Sequence, residues 1–288
     1  MNKKVFNISD EQIKEMYLSG YSLRDISNIA QNTKGLMALR NKLHSLGIDT
    51  SKNMKKYAYK ISKLRKKYKL DDTVFDSIDT EEKAYWLGFL YADGYNHKSK
   101  NCIALRLQKE DIDILYKFRN FLKTDSPIHL YRRKTRIKNI EKEYCELCVF
   151  SIHLCQTLDN LGCIQAKTYI LEFPSFIPNN LLHHFMRGYF DGDGCISITK
   201  RIDRIQNSKN FQFTVAGRKE FIEQYQNILC KTINITKTKL NSFKNNFAVA
   251  LHYSGKNNVI KIMNYLYKDC TIYMNRKYNK FKSCISVK

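Results

Sequence analysis

Proline is almost missing from this chain, with three in 288 residues, and acidic side chains are scarce, 27 Asp and Glu against 50 Lys and Arg. So few prolines beside 19 Tyr and 16 Phe argue against a disordered basic tail and for ordered, packed structure. No run of about 18 apolar residues occurs, so no transmembrane helix is expected. The opening "MNKKVFNISDEQIKE" lacks an apolar h-region and does not read as a secretory signal. These absences point to a cytoplasmic protein with no membrane partner, and leave a phage, bacterial or organellar origin open. The nine cysteines are odd in number and scattered, and are read as reduced thiols.

What remains is basic. A net charge of +23 favours a polyanion, most often nucleic acid, although ribosomal and membrane-surface proteins share this balance. The length suits one large domain or two to three small ones. Cys145 and Cys148, with His153 and Cys155 nearby, raise the question of zinc. However, "EYCELCVFSIHLC" alternates like a strand, and no second ligand pair sits at a finger-like spacing, so buried thiols are the better reading.

Three regions separate. Residues 1–50 hold three short helical patterns. Ser9 is placed to N-cap the first, with Gln12 at the capping-box position. Ile13, Met16 and Tyr17 form its apolar face, and Gly20 ends it. Ser22 caps the next, with Leu23, Ile26 and Ile29 inward. A third carries Leu36, Leu39, Leu43 and Leu46 and stops at Gly47. This is a helix-turn-helix layout, and "YLSGYSLRDISNIA" resembles that of resolvase and transposase DNA-binding domains. Arg40 and Lys42 on the third helix are its candidate DNA contacts. A three-helix bundle that binds another protein is the plainer alternative. Residues 51–78 are a basic connector, either an arm along phosphates or a solvated linker.

The remainder reads as two copies, 79–178 and 179–288. The first runs through "TEEKAYWLGFLYADG", apolar strands in "CIALRLQ", a helix at "EDIDILYKFRNFL", strands at "IHLYRRKTRIK" and "YCELCVFSI", and a helix at "LCQTLDNLG". The second runs through "NLLHHFMRGYFDGDG", "CISITKRI", "NFQFTVAG", "RKEFIEQYQNILCKT", "TKTKLNSF", "FAVALHYS" and "GKNNVIKIMNYLYKD" in the same order. Each copy is helix-strand-strand-helix-strand-strand-helix, an α+β pattern, and shared element order is evidence of duplication.

Each copy opens on a helix that ends in an acid-glycine knot. Gly88 and Gly188 lie five residues before Asp93 and Asp193. A helix-interior glycine costs about 1 kcal/mol against alanine. Its presence in both copies predicts two helices whose backbones approach closely. Gly94 and Gly194 are expected to close the helices with positive φ. Side-by-side packing then brings Asp93 and Asp193 to one point. Paired carboxylates repel unless protonated or bridged by cations. Hard oxygens suit Mg²⁺, which keeps waters for substrate phosphates, and such a pair on a basic surface suits in-line attack on a phosphodiester.

"WLGFLYADG" and "MRGYFDGDG" resemble the two copies of the motif of LAGLIDADG homing endonucleases. The resemblance spans Asp79 to the C-terminus. The approaches "IDTEEKAYWLGFLYADG" and "FIPNNLLHHFMRGYFDGDG", and "LYKDCTIYMNRKYNKF" near the end, resemble the free-standing and intein-borne branch. The resemblance implies a pseudo-twofold αββαββα repeat, motif helices at the interface, and two antiparallel sheets forming a saddle on double-stranded DNA. It also implies a monomer that uses Mg²⁺ (or Mn²⁺) to cut both strands at a long asymmetric site. Asp93 and Asp193 match the metal-holding acids, with Gly94 and Gly194 as backbone neighbours. Asp191 matches an earlier motif acid, where the first copy has Tyr91. The family also sets a basic residue near each acid, and Lys167 and Lys277, the latter beside Arg276, stand at those places. A lysine there is a point charge apt for phosphate chemistry, or else a solvated surface charge.

Base reading is expected from the strands. "YRRKTRIK" offers Arg132, Arg133, Lys134, Arg136 and Lys138. "ITKRIDRIQ" offers Lys200, Arg201 and Arg204, and "TKTKLNSFKNN" offers Lys237, Lys239 and Lys244. Phosphate contact alone is the plainer reading of these charges. The chain begins with Met and lacks a C-terminal His-Asn before a nucleophile, so a free-standing protein that does not splice is expected. A DNA-binding regulator without cleavage, and an RNA maturase that assists intron splicing, are the competing functions.

Overall fold

The computed structural model describes residues 6–286 except 20, 22, 33, 51–67, 98–99, 135–139, 165–169, 203–206 and 244–247. The chain forms two compact units, Met1–Lys67 and Tyr68–Lys288.

The first unit is helical, with α1 (Asp10–Leu18), α2 (Leu23–Ile29) and α3 (Gly35–Ser45). Ser9 caps α1 through a complete capping box with Gln12. Gly47 takes φ +74°, the left-handed turn that ends α3. Ile13, Tyr17, Ile26, Leu39 and Leu43 form the core. Two residues expected inside are not. Ile29 is 50% exposed, because the fully buried Ala30 takes the inward place at the end of α2. Leu36 is 41% exposed on the first turn of α3. Gly20 and Ser22 lie outside the described residues.

The second unit contains α4 (Glu81–Asp93), β1 (Gly94–His97), β2 (Cys102–Gln108), α5 (Ile112–Phe121), β3 (Ile128–Lys134), β4 (Glu141–Phe150) and α6 (Ile152–Asn160). The order then repeats as α7 (Leu182–Asp193), β5 (Gly194–Ile202), β6 (Asn207–Arg218), α8 (Lys219–Ile233), β7 (Asn241–Ser242), β8 (Ala248–Ser254) and α9 (Lys256–Leu266), and α10 (Asn275–Ser286) follows. The fold is α+β. Two four-stranded antiparallel sheets have the matching orders β1-β2-β4-β3 and β5-β6-β8-β7. The register repeats as well. Leu105 pairs with both Gly94 and Leu147, and Val215 pairs with both Gly194 and Leu251.

Both motif helices are buried on nearly every side, which places them at the centre of the unit. They touch backbone to backbone. A Cβ on Gly88 would collide with the carbonyl oxygen of Phe185, and one on Gly188 with that of Tyr85. The contact is reciprocal, each glycine facing the residue three before its counterpart, as a twofold relation requires.

The segment after α9 locks this interface. Glu81, at the start of α4, accepts from the backbone N–H of Thr271 at 2.7 Å and from its hydroxyl at 2.9 Å. The fully buried Arg187 of α7 donates to Glu81 at 2.7 Å, to the Ile272 and Leu266 carbonyls at 3.0 Å each, and to His184 Nδ1 at 2.7 Å. Burial, then the Arg187 charge, holds the His184 imidazole down to about 4. The folded chain therefore keeps this ring neutral where the unfolded chain, at about 6.5, takes a proton. Stability tied to His184 is full above about 6.5 and is lost as pH falls toward 4. Between pH 7 and pH 5 the wild type is expected to lose about 2 kcal/mol more than His184→Gln does, as read by chemical denaturation.

The thiols depart from the reduced reading in one place. Cys102 and Cys148 are joined as a disulfide, and the other seven cysteines are thiols. Cys148 pairs with Ala104, so Cys102 is its diagonal neighbour on the same sheet face, with Cα atoms 6.6 Å apart. Strand alternation sends Cys145 into the core instead, and His153 contacts Asp76 at 2.7 Å. The residues that raised zinc thus point apart, and no group of three or more His, Cys, Asp or Glu set to hold a metal occurs among the described residues.

Candidate active site and nucleic-acid face

Asp93 and Asp193 are the last residues of α4 and α7, and both are exposed. The helices stay in contact down to their final turns. A Cβ on Gly192 would collide with that of Ala92 and would lie 3.3 Å from Asp93 Oδ2. Asp93 therefore rests against the turn that carries Asp193. Both charges reach the same neighbours. Burial first, then the charges of Asp193 and Asp93, push the Tyr189 phenol well up, and both acids act on the Lys277 ammonium.

The glycines that follow do not have positive φ. Gly94 takes φ −69° and ψ 146°, and Gly194 takes φ −92° and ψ 164°, both extended. The chain passes from helix to strand without a left-handed turn. Glycine is required there for space, because a Cβ would strike Leu90 or Phe190 in the preceding turn.

Asp191 is fully buried and stands apart from the exposed pair. It accepts from the Tyr85 hydroxyl at 2.9 Å, the Tyr267 hydroxyl at 2.7 Å and the Met274 N–H at 2.8 Å. Burial pushes its carboxyl up, while the Lys277 charge and these donors favour the ionised form. Tyr91, at the matching place in the first copy, donates to the Leu161 carbonyl just after α6. Both side chains tie a motif helix to the segment that follows the last helix of its own repeat.

Lys277 is buried at 4% exposure. Its ammonium donates to the carbonyls of Phe190 at 2.7 Å, Asp191 at 2.6 Å and Gly192 at 3.1 Å. An ammonium has three protons to donate, so these contacts occupy it. Lys277 thus caps the C-terminal end of α7, where carbonyl groups gather negative charge. Burial pushes its pKa down, and the charges of Asp191, Asp93 and Asp193 oppose that. Its ammonium is turned inward onto the last turn of α7 rather than outward. Its neighbour Arg276 is held by Asp111 through two bonds of 3.1 Å. Lys167 lies outside the described residues.

Each sheet buries one face beneath helices and leaves the other open. Register divides the basic residues between them. Arg133 pairs with Lys142 on the open face of the first sheet, near Arg106, Tyr131 and Tyr144. Arg132 pairs with Glu143, and Lys134 with Glu141, in the alternate register shared with Leu130 and Cys145 on the helix side. Arg132 also makes an ion pair with Glu143 at 3.0 Å. The open face therefore takes one of these three cations. In the second sheet the register puts Ser197 opposite Gln212 and Thr214 opposite His252 on the open face. These uncharged polar side chains sit in "FQFTVAG" and "AVALHYS", where alternation against buried Phe213, Val215 and Leu251 marks them. Lys200 and Arg201 fall within β5, opposite Lys209 and Ser208. Lys237 and Lys239 precede β7, which is confined to Asn241–Ser242, and Lys237 donates to Asn227 at 3.0 Å. In the first unit Lys42 pairs with Asp10 at 2.6 Å and Arg40 is exposed. Arg136, Lys138, Arg204 and Lys244 lie outside the described residues.

Two exposed carboxylates, with no third acidic or soft ligand among the described residues, fit an ion such as Mg²⁺, which takes one or two carboxylates and fills its shell with water and phosphate oxygens. No helix of the described residues is long and apolar enough to cross a membrane.

Residues 180–266, covering α7 to α9, match the family model of the LAGLIDADG-like domain. No curated protein matches the chain. Among solved structures the chain is similar to the homing endonuclease I-WcaI bound to its DNA recognition sequence, at 16% identity and TM-score 0.48, covering 81% of this chain and 96% of that one. It is also similar to the LAGLIDADG homing endonuclease I-GzeII in complex with its DNA target, at 15% identity and TM-score 0.46, over 73% and 89%. A third is the LAGLIDADG homing endonuclease I-LtrWI bound to target DNA, at 11% identity and TM-score 0.45, over 71% and 90%.

Proposed function

We propose that this protein is a site-specific DNA endonuclease of the homing type, a monomer that makes metal-dependent double-strand breaks at a long asymmetric target. The observation that carries the reading is the placing of Asp93 and Asp193 at the touching ends of two duplicated helices. The duplicated sheets, the net charge of +23 and the match of the second copy to the LAGLIDADG-like domain support it. Copies 79–178 and 179–288 each supply one acid and one sheet, and residues 1–50 add a helix-turn-helix that strengthens the hold on DNA.

Asp93 and Asp193 would hold Mg²⁺ or Mn²⁺, which when bound polarises the phosphate and lowers the pKa of the attacking water. The chain's own residues do the rest. One acid comes from each copy at the seam between them, so each would stand near one strand's scissile phosphate. The glycine contact holds their spacing, and Lys277 fixes the last turn of α7 and so the Asp193 carboxylate. The open sheet faces bind the duplex and orient it.

The test is incubation of the full chain with Mg²⁺ and a library of long duplexes, followed by sequencing of new ends. Paired ends at one recurring site, dependent on the metal, are expected. Binding without cleavage in Mg²⁺ and in Mn²⁺ overturns the proposal.

A further inference from the structure

The two open faces are not copies of each other. They differ one step past the matched glycines. In the first sheet Leu105 pairs with Gly94, and the next residue, Arg106, stands opposite Glu146. In the second sheet Val215 pairs with Gly194, and the next residue, Ala216, stands opposite Ala250. The twofold relation therefore sets an ion pair against two methyl groups. Arg106 Nη2 donates to Glu146 Oε1 at 2.8 Å, and its guanidinium lies 5.6 Å from the Tyr131 ring centroid. The side chain is still 51% exposed, so it is held in place and yet reachable. A guanidinium fixed in this way loses little freedom on binding.

The major-groove edge of a G·C pair shows two acceptors, guanine N7 and O6, and one donor, the cytosine N4 amino group. An arginine beside a glutamate is the complementary set, with N–H donors for guanine and a carboxylate for cytosine. Ala216 and Ala250 present no side-chain donor or acceptor, methyl groups suit the C5-methyl of thymine, and the exposed Asn241 opposite Ala250 adds an amide suited to adenine. Duplex DNA is the occupant that the net charge of +23 calls for, and the open faces around these steps carry groove-reading side chains, Arg133 and Lys142 on one and Gln212 and Thr214 on the other.

We propose that the target is asymmetric in a defined way: the half-site under the first sheet carries a G·C pair where Arg106 and Glu146 meet it, and the mirror position in the other half-site carries an A·T pair. The inference rests on the DNA reading above and adds to it which residues make the halves differ.

The test is selection of bound sequences by the full chain, in EDTA, from a pool of randomised duplexes. Four proteins are compared: wild type, Arg106→Ala, Glu146→Gln, and the double variant Ala216→Arg with Ala250→Glu. The wild type is expected to select G·C at one position and A·T at its mirror. Arg106→Ala is expected to lose that G·C preference, by about 5- to 150-fold, and to leave other positions unchanged. Glu146→Gln weakens the same position, and the double variant brings a G·C preference to the mirror position. A wild-type site with the same pair at both mirror positions overturns the inference, as does an Arg106→Ala selection identical to wild type. Failure to select any sequence overturns the DNA reading together with the inference.

Discussion

Gly88→Ala is expected to cost about 3 kcal/mol of folding stability, and Gly188→Ala a similar amount. The magnitude comes from what the added methyl meets. At each position a Cβ falls onto a backbone carbonyl of the partner helix, Phe185 in one case and Tyr85 in the other. A backbone carbonyl cannot swing aside as a flexible side chain does, so the helices must part. Parting thins the core around Trp86, Phe89, Phe185 and Phe190, all fully buried. Both substitutions part the same helix pair, so the double variant should lose less than the sum of the singles. Equilibrium unfolding in urea measures this. Losses under about 0.5 kcal/mol, the range of an ordinary surface change, would contradict the close-approach account. The same shift also moves Asp93 relative to Asp193. Near an active site, 1 Å of misplacement costs about a hundredfold in rate, so the folded fraction should bind DNA and cut it poorly.

The second large effect is expected at Lys277. Lys277→Met keeps the length of the side chain and removes its charge and donors. It leaves three helix-end carbonyls without their ammonium and takes away the cation whose charge faces buried Asp191. Removing one member of a buried charged set costs about 3–5 kcal/mol. Adding Asp191→Asn should recover part of that loss, because the carboxylate left without its cation is then neutral. A double-mutant cycle on these two positions measures the coupling. A surface lysine would show neither the loss nor the recovery.

Much of the architecture can be read from the chain itself. The switch from helical to alternating apolar spacing, twice in the same order, marks the duplicated αββαββα units. Gly88 and Gly188 signal close approach because a helix tolerates glycine poorly without a reason. Gly94 and Gly194 carry the same letter for the other reason. Glycine denotes a missing Cβ, and the sequence does not distinguish a left-handed turn from a crowded extended one. Lys277 was legible as a basic residue near the acids but not as a cap, since its partners are carbonyl oxygens some 85 residues away, which no residue type announces. Strand alternation told that the residues of "YRRKTRIK" part to two faces. Which parity faces outward depends on register with β4, and this is what sent Arg132 to Glu143 and Arg133 to the open side. The "TKTKLNSF" stretch shortened to the two-residue β7 because only Asn241 and Ser242 find ladder partners on β8. Asp191 and Tyr91 differ in charge yet do comparable anchoring, a match visible only once α6 and α9 are in place.

The most direct test compares wild type, Asp93→Asn and Asp193→Asn on one duplex carrying the selected site, with binding and Mg²⁺-dependent cutting of each strand measured in parallel. Both acids are exposed at helix ends, so each variant should fold and bind like wild type. Each should lose double-strand cleavage by on the order of a thousandfold. Near-wild-type double-strand cleavage by either variant would contradict a shared site built from one acid of each copy.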